Sequence, residues 1–485
     1  MSEMGYGLFV GGEWRDAVSG GTFGVTNPAT GETVATLPDG RAADMRGAIE
    51  AAARVQREWS RTTAGERAGV LSEAARLIRG RVGHLARVMT LEQGKPLAQS
   101  EGEVMYAASC LDRFAEEARR VRGETMPADS PDKRIFIFKR PVGISAAVTP
   151  WNFPASSVVL KVGAAFAAGC TMVVKPSELA PLSALELAKA FEEAGLPKGV
   201  LSVVTGMDPA DLSFAIMEDR RVRKLSFTGS TEVGKILMRE AAGTVKRLSL
   251  ELGGHAPFIV FEDADLEEAV EDAISSKMRN ASQTCISANR IFVQREIEEE
   301  FSRRLVERMK GMKVGDGLRS GVKVGPLIEP AAVEKVERHV EDARYRGATV
   351  ALGGGRIGGR GNFYEPTVLR GADDSMLLAH EETFGPVAAV LPFDTEEEVV
   401  ARANATNYGL AAYYFTRDVG RVWRLAEELE YGILGANDGL PATDQTPSGG
   451  LKESGFGREG GRYGVEEYFD VKCLSLGRVS GKRKA

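Results

Sequence analysis

The sequence predicts an α/β fold of the doubly wound type, on three observations. From about residue 144, apolar runs of four to six residues alternate with helical stretches of ten or more. Parallel strands need such crossovers, whereas antiparallel neighbours are joined by short turns. The chain has 485 residues, enough for two to three structural units around sizeable cores. Residues 42–119 read as helices, because Val70, Leu71, Ala74, Leu77, Ile78, Val82, Leu85 and Met89 recur at helical spacing with Arg and Glu between them. A strand-like run follows at 134–139. Strands are then predicted at 144–148, 171–174, 201–204, 224–227 and 246–250, with helices over 156–168, 181–194 and 230–241. A second alternating series, with strands near 257–261, 289–293, 348–352, 366–369, 388–393 and 411–415, begins after Gly253-Gly254, the expected boundary between units.

Composition removes several function classes. Lys plus Arg is 62 and Asp plus Glu is 68, a net charge of −6, so no global field draws the chain to nucleic acid or an anionic membrane. The longest nearly apolar stretch, 162–174, is bracketed by Lys161 and Lys175 and is too short to span a bilayer. No basic, apolar leader opens the chain, and four scattered cysteines without a CxxC pair fit a reducing compartment, so a cytoplasmic protein is expected. The four histidines (His84, His255, His339, His380) show no metal-ligand spacing, and no metal is expected. The basic tail 481–485 reads as a solvated terminus.

Glycine is in excess, 56 residues, and GxGxxG occurs twice, at Gly353–Gly358 and Gly455–Gly460. A dinucleotide fingerprint needs a strand before it and a helix directly after. The first runs into a segment ending at Pro366 and the second follows a loop, so both are set aside. A better phosphate loop is Phe227-Thr-Gly229-Ser230, which follows a strand and opens a helix whose N–H groups and dipole can face an anion.

Three residues carry chemistry. Cys285, in Asn280-Ala-Ser-Gln-Thr-Cys285, has polar neighbours that suit a reactive thiol; the alternative is a small buried hydrophobe, which fits Cys170 and Cys473. Glu251 ends an apolar strand before two glycines, where burial would raise its pKa toward that of a general base; the alternative is an edge charge facing solvent. Asn152 lies between Pro150 and Pro154, which suits a rigid oxyanion donor or an ordinary Asx turn.

Together these segments resemble the aldehyde dehydrogenase superfamily along nearly the whole chain. The resemblance rests on Pro150-Trp-Asn-Phe-Pro154, Val174-Lys-Pro-Ser-Glu178, Phe227-Thr-Gly-Ser-Thr231, Leu250-Glu-Leu-Gly-Gly254, Gln283-Thr-Cys285, Glu381-Glu-Thr-Phe-Gly-Pro386 and Ser454-Gly-Phe-Gly-Arg-Glu-Gly460. Cys285 follows Glu251 by 34 residues and Asn152 by 133, near the family's spacing. The resemblance implies that Cys285 attacks the aldehyde, that Asn152 and the Cys285 N–H hold the oxyanion, and that Glu251 activates water to hydrolyse the thioester. It gives the cofactor to Trp151, Lys175, Ser177, Glu178, Gly229, Ser230, Glu382 and Phe384. The Glu178 carboxylate suits a ribose diol and repels a 2′-phosphate, so NAD is expected over NADP, with NADP admissible beside Lys175 and Ser177. Glu251 argues against a CoA-acylating branch.

The resemblance further implies a cofactor-binding unit over 1–123 and 142–252, a catalytic unit over 253–436, a return segment over 437–464, and an oligomerisation arm over 124–141 and 465–485 that makes a homodimer or homotetramer. Several passages, among them Glu103-Val-Met-Tyr-Ala-Ala-Ser109 and Ala256-Pro-Phe-Ile-Val-Phe-Glu-Asp-Ala-Asp265, look closest to the succinate-semialdehyde dehydrogenase branch. That branch grips a distal carboxylate with two arginines. Arg279 matches one; Leu160 stands in place of the other, and Ser448 replaces a common Phe. The expected substrate is a small aldehyde with an anionic or polar end, with Arg279 and Ser448 in its site, although Arg279 could instead bond a helix-terminal carbonyl. An uncharged aldehyde such as lactaldehyde or glycolaldehyde is the alternative, and a catalytically idle binding relative a further one. A cofactor-free thiol hydrolase would need a histidine base that the sequence does not mark. Smaller departures are Ser282 for Gly, His255 for Asn, and Ser287 where redox-switched relatives carry a second cysteine.

Overall fold

The computed structural model describes residues 6–479, so the basic tail 481–485 lies outside the described residues. Two large sheets dominate. The first has eight strands, in the order Glu13–Arg15, Leu8–Val10, Leu201–Val203, Met172–Lys175, Ile144–Val148, Val222–Thr228, Arg247–Glu251 and Gly455–Phe456. Its five central strands are parallel, and antiparallel strands close both edges. Strand order reverses beside Ile144–Val148: the chain runs from it to Leu201–Val203 on one side, then to Val222–Thr228 on the other. A crevice opens at such a reversal, outside the carboxyl ends of the strands.

The second sheet has seven strands, in the order Thr349–Leu352, Thr367–Arg370, Val387–Phe393, Ala288–Gln294, Ala256–Val260, Ala411–Phe415 and Ile433–Ala436, all parallel except the first. The chain leaves the first sheet at Glu251 and enters the second at Ala256, so the carboxyl end of one sheet meets the amino end of the other across four residues. Arg134–Pro141 pairs with Phe469–Leu476 over eight residues and with Glu124–Met126, forming a separate three-stranded antiparallel sheet.

The helix Pro154–Ala168 shows how the core is assembled. Fourteen of its fifteen residues are buried, so its stabilisation comes from packing on all sides. Pro154 starts it at a position where a missing N–H costs nothing, and Gly169 ends it at φ 89°, in the left-handed region. Its N-cap, Phe153, has no side-chain acceptor for the free N–H groups of the first turn. Glu103, from the helix Leu97–Ala118, supplies one: its Oε1 accepts from Ala155 N at 3.0 Å and Ser156 N at 3.1 Å. Glu92 does the same for the helix Leu182–Glu193, accepting from Leu182 N and Ser183 N. Two buried glutamates thus serve as caps donated by neighbouring helices.

Differences from the sequence reading lie where elements are short. Strands at Leu8–Val10, Glu13–Arg15, Thr22–Thr26 and Thr33–Pro38 precede the first helix, and the helix Pro209–Glu218 lies between two strands. Two of these strands have three residues, too few for alternation to register. The second GxGxxG is itself the edge strand Gly455–Phe456 followed by the helix Gly461–Glu466; it runs antiparallel to Arg247–Glu251, unlike the parallel unit of the dinucleotide fingerprint. Among the described residues, no helix is long and apolar enough to cross a membrane.

Candidate active site

Cys285 lies in a tight turn closed by Ser287 N donating to Thr284 O at 3.0 Å, immediately before the strand Ala288–Gln294. The other three cysteines are fully buried (Cys110, Cys170) or exposed on the three-stranded sheet (Cys473); Cys285 alone is partly accessible. The turn before it is strained: Asn280, Ala281 and Ser282 all have positive φ, at 53°, 52° and 65°. Left-handed backbone costs an L-residue roughly 1–2 kcal/mol, less for Asn. Ser282 answers with a hydrogen bond between its Oγ and that of Ser287, at 2.7 Å. This explains the small residue there, since Gly would reach the same φ without strain.

Glu251 ends its strand 7% exposed, and its Oε1 is buried without a hydrogen-bond partner. Burial, then repulsion from Glu459, pushes its carboxyl up to about 8, while Lys161 and Arg458 oppose the rise. Nearby cations do not quench it, because Lys161 Nζ is held by Glu459 Oε1 at 2.5 Å and Thr228 Oγ1 at 2.6 Å. The Lys161–Glu459 pair escaped the sequence reading, although a lysine within the apolar run from Val158 to Ala168 was a usable signal.

Gly254 joins the two groups. A Cβ there would stand 2.2 Å from the Cys285 carbonyl oxygen, so only glycine lets the chain leaving Glu251 pass this closely. Burial, then the carboxylates of Glu251 and Glu382, pushes the Cys285 thiol up to about 12; Arg279 and the residue's own backbone N–H pull the other way. Asn152 completes the group. Its Nδ2 donates to Gln283 O at 3.0 Å, two residues before the cysteine, and its Oδ1 accepts from Phe153 N at 3.1 Å.

The residues assigned to a dinucleotide gather around the crevice. Lys175 ends a parallel strand, and its Nζ meets Glu178 Oε2 at 2.7 Å, with Ser177 Oγ accepting from Leu179 N. Ser230 caps the helix Thr231–Ala241 by accepting from Val233 N. The Gly229 N–H donates to Glu251 O at 3.1 Å, which ties the start of this loop to the neighbouring strand. Glu382 Oε1 accepts from Gly254 N at 3.4 Å, and burial pushes this carboxyl up to about 7, with Lys335 and that N–H opposing. Phe384, at φ 55°, meets Trp151 edge-to-face at 5.6 Å. Two carboxylates that could accept from hydroxyl groups, a capped helix start and a pair of aromatic rings are chemistry that fits a dinucleotide.

Arg279 has no carboxylate within ion-pair distance among the described residues. Its guanidinium lies 5.1 Å from the Phe153 ring centroid. Ser448 stands on the return segment, its backbone paired both ways with Glu459. Leu160 packs, partly buried, against the core of the first sheet.

An ionised Glu251 raises the thiol pKa, so it should slow alkylation of Cys285 only above pH 8. Iodoacetamide labelling of the Cys285 peptide, read by mass spectrometry, should be about threefold to tenfold faster in Glu251→Gln than in the unaltered protein at pH 9, and equal at pH 6.5. Slower labelling of the variant at pH 9 would contradict this electrostatic account.

Residues 14–474 match the family described as "Aldehyde dehydrogenase family". The chain is 50% identical to glutarate-semialdehyde dehydrogenase of Pseudomonas putida, covering 96% of this chain and 97% of the relative. It is 48% identical to the NADP(+) succinate-semialdehyde dehydrogenase of Escherichia coli K12, covering 96% and 97%. The crystal structure of succinate-semialdehyde dehydrogenase from Burkholderia pseudomallei superposes with a TM-score of 0.96 at 51% identity, covering 97% of this chain and 98% of that one.

Proposed function

The chain belongs to the aldehyde dehydrogenase family, and from that premise we propose that it oxidises a small aldehyde carrying an anionic end, of the succinate or glutarate semialdehyde type, to the carboxylic acid. The observation that carries this reading is a buried, unpartnered Glu251 oxygen beside a partly accessible Cys285, with an unpaired Arg279 close enough to act on the same thiol. In this reading, Cys285 attacks the aldehyde carbon as a thiolate. The Asn152 amide and the Cys285 N–H hold the resulting oxyanion; losing one such donor typically costs about 10²–10³ in rate. NAD or NADP, when bound, would supply the acceptor for the hydride lost from the aldehyde-derived carbon, whose oxidation leaves a thioester on Cys285. Glu251 then takes a proton from water, which attacks the thioester and releases the acid from Cys285. A group with its pKa near 8 suits that task around neutral pH.

The cofactor unit comprises 1–123 and 142–252 and the catalytic unit 253–436, with 437–464 returning to the first; the first sheet and the second support this division. Lys175, Ser177 and Glu178 hold the adenine ribose, Gly229 and Ser230 face the pyrophosphate, and Glu382, Phe384 and Trp151 surround the nicotinamide end. Since Lys175 is already paired with Glu178, the site offers a 2′-phosphate a carboxylate and a spent cation, which favours NAD. Arg279 takes the distal carboxylate of the substrate, with Ser448 at the pocket mouth. An uncharged aldehyde would leave Arg279 without a partner, and lactaldehyde or glycolaldehyde is accordingly disfavoured. A homodimer or homotetramer is built through the three-stranded sheet, where Met126, Phe136, Val471, Leu474 and Leu476 are exposed.

Absorbance at 340 nm with a panel of aldehydes and both dinucleotides should show acid formation without CoA, higher kcat/KM for carboxylated semialdehydes than for uncharged ones, and higher kcat/KM with NAD than NADP. In the same assay Arg279→Ala should raise KM for the carboxylated substrate about 10–100-fold and leave an uncharged aldehyde nearly unaffected. An unchanged KM would reject the role of Arg279, and equal efficiency with both dinucleotides would reject the NAD preference. Size-exclusion chromatography should give a dimer or larger species; a monomer alone would contradict the arm assignment.

A further inference from the structure

A buried polar cluster lies against the Asn152 backbone, and the mechanism above does not use it. Lys95 is 2% exposed and Asn280 1%. Lys95 Nζ donates to Glu103 Oε2 at 2.5 Å and to the Asn152 carbonyl at 2.7 Å. Asn280 Nδ2 donates to that same carbonyl at 3.0 Å and to Gln283 O at 3.2 Å, the carbonyl that also accepts from the Asn152 side chain. The amide of Asn280 therefore ties the backbone of the oxyanion donor to the turn that carries the nucleophile.

Each member is held from outside the site. Glu103 Oε1 binds the first turn of the helix Pro154–Ala168, fixing the segment immediately after Asn152. Asn280 N donates to Gln99 Oε1 at 2.8 Å, and Asn280 Oδ1 accepts from Gln93 Nε2 at 2.9 Å. Gln93 Oε1 in turn accepts from Lys95 N at 3.0 Å, which closes the circuit. The segment from Gln93 to Glu103 thereby grips both halves of the oxyanion site, each in a conformation the local chain would not adopt unaided. Asn280 opens the left-handed turn, and Asn152 precedes a helix that lacks its own cap. Catalytic donors need such support, because misplacement by about 1 Å can cost about 10²-fold in rate.

We propose that Lys95, Glu103 and Asn280 are positioning residues for the oxyanion site, acting through the Asn152 carbonyl and the Gln283 carbonyl to fix the Asn152 amide relative to Cys285. The proposal rests on the reading of Asn152 as an oxyanion donor.

The test is a double-mutant cycle with a cofactor-free readout. Removing Lys95 alone strands a buried carboxylate and can unfold the chain, so Lys95→Met is paired with Glu103→Gln, which leaves no orphaned charge and keeps an acceptor for the helix cap. Asn280→Ala is the second variant. Turnover of p-nitrophenyl acetate without dinucleotide, and aldehyde oxidation with NAD, are measured for each variant in the Asn152 and the Asn152→Ala backgrounds. Each variant should lower both rates about 10–100-fold with Asn152 present and by less than about twofold in Asn152→Ala, while NAD affinity by protein fluorescence stays unchanged. Losses of the same size in both backgrounds would show a merely structural role and overturn the proposal, as would wild-type turnover in both variants. If Asn152→Ala itself left both rates unchanged, the oxyanion assignment would fall, and this proposal with it.

Discussion

A single missing atom holds the site together. The Cβ absent from Gly254 would occupy space 2.2 Å from the Cys285 carbonyl oxygen, so the link between the two sheets can run against the nucleophile's turn only because residue 254 is glycine. Glu251 is brought to Cys285 by that approach, and the Gly254 N–H is brought to Glu382 by the same four residues. The carboxyl end of one sheet and the amino end of the other therefore share one crevice, with a base from the first and a thiol from the second.

Burial then does most of the electrostatic work. It raises Glu251, Glu382 and the Cys285 thiol, because each loses hydration; Glu459 adds to the rise of Glu251, and the carboxylates of Glu251 and Glu382 add to that of the thiol. The obvious remedy, a lysine beside Glu251, is present but committed: Lys161 is held by Glu459 and Thr228. Glu251 thus keeps an open oxygen in a dry environment, an arrangement that costs stability and suits the base proposed for it, with its pKa raised to about 8. Arg279 is, among the described residues, a cation without a carboxylate partner, its guanidinium 5.1 Å from the ring centroid of Phe153, next to Asn152. An unpaired guanidinium is what the proposed distal carboxylate of the substrate would engage.

Most of this was legible in the sequence where the signal was local. The alternation of strands and helices from residue 144 placed the parallel strands within a few residues, except Ile433–Ala436, which it missed, because period and length are local properties. Glu251 before two glycines, Asn152 between prolines and Cys285 among polar residues could be singled out for the same reason. Contacts between distant residues could not be read this way. Lys161 meets Glu459 from 298 positions away, and Lys95 meets the Asn152 carbonyl from 57; the apolar run around Lys161 marks that lysine as unusual but does not point to its partner. The left-handed turn at Asn280–Ser282 was hidden too, since only Asn280 is of a type that favours it. The hydrogen bond from Gly229 N to Glu251 O joins two neighbouring strands and likewise has no local sequence mark.

The central claim is that Cys285 carries the acyl group and Glu251 releases it. Rapid quenching of Glu251→Gln mixed with a carboxylated semialdehyde and NAD, followed by mass spectrometry of the peptides, tests it most directly. The account predicts a burst of about one NADH per site and the acyl mass on the Cys285 peptide, persisting because water is no longer activated. An unmodified Cys285 peptide after the burst, or acyl-enzyme breakdown as fast as in the unaltered protein, would contradict it.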